Sequence, residues 1–389
     1  MIARLIAILF LLDRCLKLWA IAHFFRQRAP TPPSVWPSIS LIQPITRGVE
    51  HFDELLEQRL TNSYPASIQH IIVLDRADEE YQQICRALME RYPNAWVELI
   101  VLEEVGLERA SKTAKQLAAI ERAEGDVICS IDDDIWLREG GLELLVGALD
   151  QSDVGASFGL ACYTNWRALG SSLMSLFVNS NALVSYIPIR YLTEPFTITG
   201  HCFALYRERF DQIGGFRGLQ GRIDDDHELA RRCRRAGLRI VQTPMIYDVN
   251  NHLPTFGSYL LQMRRWFVIP KQTMLPHISG RDQLLSGLAS LANLFPGFSL
   301  VMACLTRSKA WWSACLLQLG ALVASQAWLE RRYLKRTTPW HGWLLLPFVG
   351  LFSAWHALWI MCWRGDRIVW RGQRLRVMRD GRFEVLDGE

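Results

Sequence analysis

DVICSIDDD, residues 126–134, decides the fold class of this chain of 389 residues. Val127 to Ile131 form an apolar run of the length typical of a buried strand, and three carboxylates follow it directly. Other runs of this kind lie on either side, and helical patterns separate most of them: SISLIQP, QHIIVLD, WVELIVL, VGASFGLA, ITGHCFALY and LRIVQ. This alternation predicts an α/β domain with a mainly parallel, Rossmann-like sheet over residues 38–283.

Carboxylates close two of these runs. Asp75 ends QHIIVLD, and Asp132-Asp133-Asp134 follow VICSI. Ligands of parallel sheets bind beyond the carboxyl ends of the strands, where Asp75 can accept hydrogen bonds from a nucleotide's ribose or base. Asp132 and Asp134 point the same way in an extended chain, so both can bind one Mg²⁺ or Mn²⁺ that carries substrate phosphates. The structural alternatives are an acidic solvated turn and, for Asp75, an ordinary turn residue.

A second acidic triplet, Asp224-Asp225-Asp226, stands before the Arg-rich helical segment HELARRCRRAG. Acidic residues at a helix start are favourable by roughly 0.3–1 kcal/mol, which accounts for one or two of the three. A carboxylate at this position can also serve as a general base for an acceptor hydroxyl. Which of the three carboxylates is the base stays open at this stage.

The segment QMRRW, residues 262–266, has helical spacing that places Gln262 beside both Arg265 and Trp266. Arg265 can bind a diphosphate whose charge builds up as it departs, and Trp266 offers a flat apolar platform. The alternative is a basic, aromatic helix lying at a membrane surface.

Four apolar segments predict membrane helices. Residues 2–25 form an imperfect N-terminal anchor interrupted by Asp13 and Lys17, which can pair on a helix, or else an amphipathic surface helix. Residues 284–305, 310–329 and 340–363 are each long enough to span a bilayer, and the first is expected to kink or re-enter at Pro296-Gly297. Their number of crossings stays open, because the connectors and the tail are all basic. The predicted regions are an N-terminal anchor (1–28), a Pro-rich linker (29–37), the α/β domain (38–283), C-terminal membrane helices (284–363) and a basic tail (364–389).

Composition narrows the class of protein. Half of the residues are hydrophobic and 15 are Trp, which favours a soluble body with a few membrane segments over a channel or carrier. The nine Cys are scattered without C-x-x-C spacing, which argues against a disulfide framework or a structural zinc site and indicates a reducing compartment.

The four motifs together resemble a known series. Asp75, then Asp132-x-Asp134, then Asp225-Asp226, then QxxRW is similar to the D, DxD, (E/D)D, QxxRW order of family 2-type inverting glycosyltransferases. The chain resembles in particular the ceramide glucosyltransferase family and its bacterial relatives, including hopanoid-biosynthesis glycosyltransferases. GHCFALYRERFDQIGGF and RIVWRGQRLRVMRDG look like further segments of that family, so the resemblance covers nearly the whole chain.

The chain departs from the family pattern at three places. SKTAKQL stands where many relatives have N-P-K-x-x-(N/Q)-L, so either Lys112 or Lys115 matches the family lysine. His227 follows the base motif where a Tyr is usual, and Asp133 is unusual as the middle residue of the D-x-D motif.

The resemblance implies a GT-A catalytic domain and a reaction. It implies that Asp75 binds the uridine or ribose, that Asp132 and Lys112 bind the nucleotide, and that Asp134 is the more direct metal ligand. It further implies Asp225-Asp226 as the catalytic base motif, with Asp226 accepting the proton of the acceptor. Gln262, Arg265 and Trp266 would then complete the catalytic set. The expected enzyme is a hexosyltransferase that moves glucose or N-acetylglucosamine from a UDP-sugar, with Mg²⁺ or Mn²⁺.

The expected acceptor is a membrane lipid hydroxyl, such as that of ceramide or a hopanoid. The apolar but interrupted stretch 173–189 suits a lip at the membrane interface, or else a buried domain helix. Two other functions compete: a small processive polysaccharide synthase of the cellulose or hyaluronan type, and a non-catalytic lipid-binding scaffold. The expected partners are a nucleotide sugar, a membrane lipid and the membrane, with no nucleic acid. The expected location is the bacterial inner membrane, with the catalytic domain in the cytoplasm.

Overall fold

The computed structural model describes residues 1–27, 32–46, 48–103, 111–363, 365–370 and 372–386. Residues 29–31 of the expected linker, and Arg364, Arg371 and 387–389 of the expected basic tail, lie outside the described residues. The chain divides into two compact units. The sheet unit comprises residues 28–161, 195–250 and 370–389, and the helical unit comprises residues 1–27, 162–194 and 251–369. The units interleave along the sequence, so residues 162–194 and 251–283 of the range predicted as one α/β domain, 38–283, fall in the helical unit.

The strands alternate with helices over most of the sheet unit. The strands are β1 (Ile39–Pro44), β2 (Ile68–Asp75), β3 (Trp96–Leu102), β4 (Val127–Ile131), β5 (Ile135–Trp136), β6 (Val154–Tyr163), β7 (Cys202–Tyr206), β8 (Arg239–Val249), β9 (Arg367–Trp370), β10 (Gln373–Val377) and β11 (Phe383–Val385). The helices are α1 (Ile2–Arg26), α2 (Phe52–Leu60), α3 (Glu79–Arg91), α4 (Ser111–Ile120), α5 (Gly141–Gly147), α6 (Leu169–Ile189), α7 (Arg207–Gln212), α8 (Asp225–Arg235), α9 (Phe256–Thr273), α10 (Gly280–Leu291), α11 (Phe295–Thr306), α12 (Lys309–Leu329) and α13 (Trp340–Cys362).

The main sheet is mixed and has the strand order β3-β2-β1-β4-β7-β6-β8-β5. Its first half is parallel: β1 pairs with β2 on one side and β4 on the other, and β3 extends β2. In the other half, β7 pairs antiparallel with β4 and with β6, and β5 pairs antiparallel with β8. Every residue of β1 and β4 is buried, as expected for central strands covered on both faces. The predicted α/β fold is confirmed, with an antiparallel half that the apolar runs did not indicate.

The topology brings two predicted motifs to one edge. Since β2 and β4 both lie parallel to β1, Asp75 at the end of β2 and the Asp132–Asp134 segment after β4 lie at the same, carboxyl edge of the sheet. Gly125 precedes β4 where no side chain fits, because a Cβ there would lie 2.4 Å from the backbone nitrogen of Ser40. This close approach fixes the start of the strand that carries the first acidic triplet.

The helical unit contains four helical segments long and apolar enough to cross a membrane, counted over the described residues. These are Leu169–Ile189, Gly280–Thr306, Lys309–Leu334 and Trp340–Cys362. The second is not one continuous α-helix, because a 3₁₀ turn at Ala292–Leu294 precedes Pro296. This break lies beside the predicted kink. The predicted C-terminal apolar segments therefore exist as helices.

Helix α1 carries charged residues in its middle, and it is not among the four candidate membrane-spanning segments. The predicted pair is present: Lys17 Nζ lies 3.0 Å from Asp13 Oδ2. Lys17 also donates to the carbonyl of Ala289, and Arg14 donates to Asn293. The charges of α1 are thus bound within the helical unit, and its role as a membrane anchor stays a prediction.

Helix α6 packs against α1, α9 and α13 within the helical unit. Leu176 is fully buried there. Asn179, one of the polar residues that interrupt the segment, exchanges two hydrogen bonds of 2.8 Å with the backbone of Tyr163. On this face α6 is therefore a packed helix rather than a lip exposed at an interface.

Candidate active site

The three residues of the first acidic triplet, Asp132 to Asp134, contact different partners. Lys112 Nζ lies 2.7 Å from Asp132 Oδ1. The carboxylate of Asp133 instead accepts hydrogen bonds from the backbone nitrogen of Thr46, at 2.7 Å, and from its hydroxyl. The carbonyl of Asp134 accepts from the backbone nitrogen of Asn250 at 3.1 Å. Asp133 is therefore bound to the loop after β1, which gives the unusual middle residue a structural role.

Lys112 joins the two acidic motifs. Besides Asp132, its ammonium lies 3.6 Å from Asp225 Oδ2, and it donates to the carbonyl of Gly200 at 2.8 Å. Burial opposes its charge, but Asp132 and Asp225 outweigh burial and raise the pKa of Lys112. Burial raises the pKa of Asp225, against the attraction of Lys112. Residues far apart in the sequence thus form one ionic cluster at the edge of the sheet.

Asp75 forms its ion pair with a different lysine, Lys115. Lys115 is fully buried, and its Nζ lies 2.8 Å from Asp75 Oδ2. Asp75 Oδ1 is also buried but has no hydrogen-bond partner among the described residues. Asp78 behaves as a turn residue, since its carboxylate accepts from the backbone nitrogen of Asp75 at 3.3 Å. A buried acceptor without a donor costs about 1–3 kcal/mol, so Asp75 Oδ1 is suited to a donor supplied by a ligand.

The two lysines of SKTAKQL therefore serve two carboxylates. Both lie on α4, where Lys112 binds Asp132 and Lys115 binds Asp75. Their spacing of three places them on neighbouring positions of one helix face. The choice between Lys112 and Lys115 as the family lysine is therefore not exclusive, because each of them pairs with its own carboxylate.

The second triplet separates into three environments. Asp224 is 1% exposed and precedes α8, but its side chain caps no helical nitrogen; it binds Arg222 through both oxygens, at 3.0 and 2.9 Å. Asp225 faces Lys112. The side chain of Asp226 is the most exposed of the three, at 27%, and lies against Gly200, whose added Cβ would come within 3.2 Å of it. Asp224 is thus held by Arg222, which leaves Asp225 and Asp226 as candidates for the base.

Arg59 is a site residue that the sequence did not single out. It lies in the last turn of α2, is fully buried, and donates to the carbonyls of Asp132 at 2.6 Å and Ile135 at 2.7 Å. It also donates to Gln43 Oε1 at 3.0 Å. Its guanidinium therefore fixes the backbone on both sides of Asp133 and Asp134. The segment FDELLEQRL reads as an ordinary amphipathic helix, so the pattern gave no indication of a buried arginine.

The QxxRW residues lie in the helical unit. Gln262, Arg265 and Trp266 are on α9, as predicted, and a capping box between Thr255 and Ser258 begins that helix. The ring of Trp266 is perpendicular to that of Tyr163, with centroids 6.0 Å apart. The predicted catalytic roles of these three residues stay predictions.

A divalent cation fits the chemistry of the first triplet. Asp132 and Asp134 offer hard carboxylate oxygens, the ligand type that Mg²⁺ and Mn²⁺ prefer. Within the described ranges no group of three His, Cys, Asp or Glu side chains could hold a metal ion. At sites with few protein carboxylates, Mg²⁺ usually completes its coordination with waters and substrate phosphates.

A family model described as glycosyl transferase family 21 matches residues 1–383. Among curated relatives, the hyaluronan synthase of Streptococcus pyogenes is 25% identical over 247 residues, which cover 60% of this chain and 57% of that protein. An N-acetylglucosaminyltransferase of Neorhizobium galegae is 28% identical over 178 residues, covering 43% of this chain and 39% of that protein. Both matches span less than two thirds of the relative.

Among solved structures, a mannosyltransferase from Pyrobaculum calidifontis in complex with GDP-Man and Mn²⁺ has a TM-score of 0.52 and 16% identity. The match covers 84% of this chain and 97% of that one. At this identity the likeness shows the fold alone. The expected GT-A-type fold is thereby confirmed.

Proposed function

The chain belongs to glycosyl transferase family 21, and from this membership we propose that it moves a hexose from a UDP-sugar to a hydroxyl of a membrane lipid. Two observations at the same edge of the sheet carry this proposal: the ionic cluster of Lys112 with Asp132 and Asp225, and Asp75 Oδ1, which has no hydrogen-bond partner in the described part of the chain. Asp75 offers a buried hydrogen-bond acceptor for the nucleotide. The acidic residues of the cluster offer carboxylates for a cation and for a general base at the same edge of the sheet.

The nucleotide binds beside β2 in this proposal. Asp75 Oδ1 accepts a hydrogen bond from a ribose hydroxyl or from the uracil ring, while Lys115 holds the other oxygen in place. Asp132 and Asp134 would hold the cation, which would supply positive charge next to the leaving diphosphate. Lys112 contributes a fixed positive charge at the same place.

Asp226 acts as the general base, because its carboxylate is the most accessible of the second triplet. The lipid hydroxyl attacks the anomeric carbon from the face opposite UDP; the new C–O bond forms as the bond to UDP breaks, and the proton passes to Asp226. Asp225 remains bound to Lys112 and orients the cluster. General base catalysis contributes about 10²–10⁴-fold to such a step.

A membrane lipid is the proposed acceptor because the chain combines this site with four candidate membrane-spanning segments. The proposed location is the bacterial inner membrane with the sheet unit in the cytoplasm, where nucleotide sugars are made and where the thiols found unpaired among the described residues are stable. Protease digestion of sealed vesicles tests this orientation: cleavage of the sheet unit from the periplasmic side contradicts it.

The test of the function uses membranes containing the full chain, a panel of UDP-sugars and a lipid extract, with products identified by mass. We expect a lipid-linked monosaccharide, formed only with a divalent cation and abolished by Asp134→Ala. Asp150→Ala, an exposed Asp of the same unit, is the matched control and should retain activity. Full turnover in excess chelator would contradict the proposed role of the cation.

A polysaccharide synthase is the second candidate, favoured by the similarity to a hyaluronan synthase. Product size separates the two functions, since a synthase yields a polymer and the proposed enzyme yields a glycolipid. A lipid-binding scaffold predicts no transfer and no donor binding, so saturable binding of UDP-sugar with Mn²⁺ counts against it.

A further inference from the structure

The C-terminal hairpin β10–β11 lies against the segment that leads into the second acidic triplet. β10 and β11 are antiparallel, with Leu375 opposite Val385. The backbone nitrogen of Ile223 donates to the carbonyl of Gly381 at 3.0 Å, and Arg222 forms an isolated antiparallel bridge with Arg382. These contacts all lie within the sheet unit.

Gly381 is the point of closest approach. A Cβ there would lie 2.1 Å from Asp224 Oδ1 and 2.3 Å from Arg222 Nη2, distances at which the atoms must move. Its φ of +89° also favours glycine. The hairpin turn therefore covers a charge pair whose side chains are 13% exposed at Arg222 and 1% exposed at Asp224.

The Arg222–Asp224 pair in turn defines where α8 begins. The carbonyl of Asp224 accepts the first helical hydrogen bond, from Glu228 at 2.9 Å, and Arg222 also lies 3.3 Å from the carboxylate of Glu228. Asp225 and Asp226 are the next two residues, so a shift of Asp224 shifts both carboxylates.

We propose that the hairpin turn at Gly381 is a positioning element for the catalytic carboxylates: it clamps the Arg222–Asp224 pair and so sets the first turn of α8. Asp224 does not touch the reacting atoms and acts through Asp225 and Asp226. The inference rests on the proposed function for its kinetic consequence, whereas the clamp itself is a structural property that can be measured without any reaction.

The experiment compares two glycines of the C-terminal segment. Gly381→Ala and Gly372→Ala both place a side chain at positive φ, +89° and +78°, so the backbone strain is similar. Only Gly381→Ala meets the charge pair, because a Cβ at Gly372 finds no atom of the described residues within 4 Å. A difference between the two variants therefore reports the clamp and not the strain.

We expect Gly381→Ala to lower kcat by about 10²-fold, the loss that a displacement of about 1 Å causes in a positioned catalytic group. The donor KM should change by less than about twofold, because Asp75 and Lys115 are on other elements. Gly372→Ala should retain the wild-type kcat. As a second variant that adds no bulk, Asp224→Asn should show the same separation between kcat and donor KM.

Hydrogen–deuterium exchange supplies the readout that is independent of activity. Amides of residues 223–230 should exchange at least about tenfold faster in Gly381→Ala than in Gly372→Ala. Equal exchange and equal kcat in the two glycine variants would overturn the proposal. It would also be overturned if both Gly381→Ala and Asp224→Asn lost donor binding together with kcat. If exchange responds while the wild type transfers no sugar, the proposed function fails and the clamp stands.

Discussion

Arg59 gives the sharpest test of how the Asp132–Asp134 segment is held. Its side chain is fully buried and donates to the carbonyls of Asp132 and Ile135. Burial lowers its pKa to about 10, against the attraction of the neighbouring carboxylates, so it is protonated at neutral pH. We predict that Arg59→Met destabilises the sheet unit and that Arg59→Lys impairs catalysis with a smaller loss of stability.

The magnitude is worked from the two backbone carbonyl groups that lose this donor; it leaves out Gln43 Oε1 and is therefore a lower bound. Each buried group without a partner costs about 1–3 kcal/mol, so Arg59→Met should lower the free energy of unfolding by about 2–6 kcal/mol. For a unit of this size that corresponds to a fall in the unfolding midpoint of roughly 5–20 °C. Lysine keeps the charge but cannot donate in a fork, so the loop after β4 loses its fixed position, and kcat should fall by about 10²-fold.

The assay is thermal unfolding of the detergent-solubilised full chain, together with donor binding and initial rates. Arg76→Met is the matched control, because Arg76 is exposed and its ion-pair partner among the described residues is an exposed Glu103. This control should unfold and react like the wild type. If Arg59→Lys retains both the wild-type kcat and the wild-type affinity for UDP-sugar, the guanidinium does not position the acidic loop, and the reasoning is refuted.

Three further predictions concern single groups. Lys115→Met should weaken donor binding by about tenfold or more, since Asp75 loses its countercharge; unchanged affinity by calorimetry would contradict the nucleotide site. Asp226→Asn should lower kcat by about 10²–10⁴-fold and leave donor affinity unchanged, and a wild-type rate would exclude Asp226 as the base. Burial, with a contribution from Arg59, lowers the pKa of His70 to about 4 from its ordinary 6.5. Between these values the unfolded chain binds the proton and the folded chain does not, so stability rises with pH and about 3 kcal/mol is lost as pH falls from 6.5 to 4. His70→Gln should flatten thermal stability in this window, and an unaltered slope would show that His70 is not the group responsible.

The parallel half of the fold could be predicted because its information is local. Runs such as QHIIVLD and VICSI are buried on both faces, so their composition alone identifies them as strands. The same reasoning placed Asp75 and Asp132 at strand ends. The two-residue strand β5 and the hairpin β10–β11 were missed. In QRLRV the alternation of Leu375 and Val377 was present, but the surrounding arginines made it read as a basic tail.

The partners of the site residues could not be predicted, because they depend on contacts between distant segments. Nothing in the sequence around Asp133 indicates its bond to Thr46, and nothing around Gly381 indicates Asp224. The division of labour between Lys112 and Lys115 follows from which strand end each one reaches. Residue type and order identified the motifs, whereas three-dimensional packing assigned their environments.

The interleaving of the two units has a consequence for how the chain is synthesised. The sheet unit draws on residues 28–161, 195–250 and 370–389, so the ribosome delivers three parts of the helical unit before the sheet unit has all of its residues. Chains elongate at about 5–20 residues per second, and domains usually fold as they emerge. Here the hairpin that covers Asp224 is translated after every helix of the helical unit. Completion of the sheet unit therefore waits for its third segment, and a fragment that stops before α13 would leave α6 and α9 without a helix against which they pack, which favours aggregation.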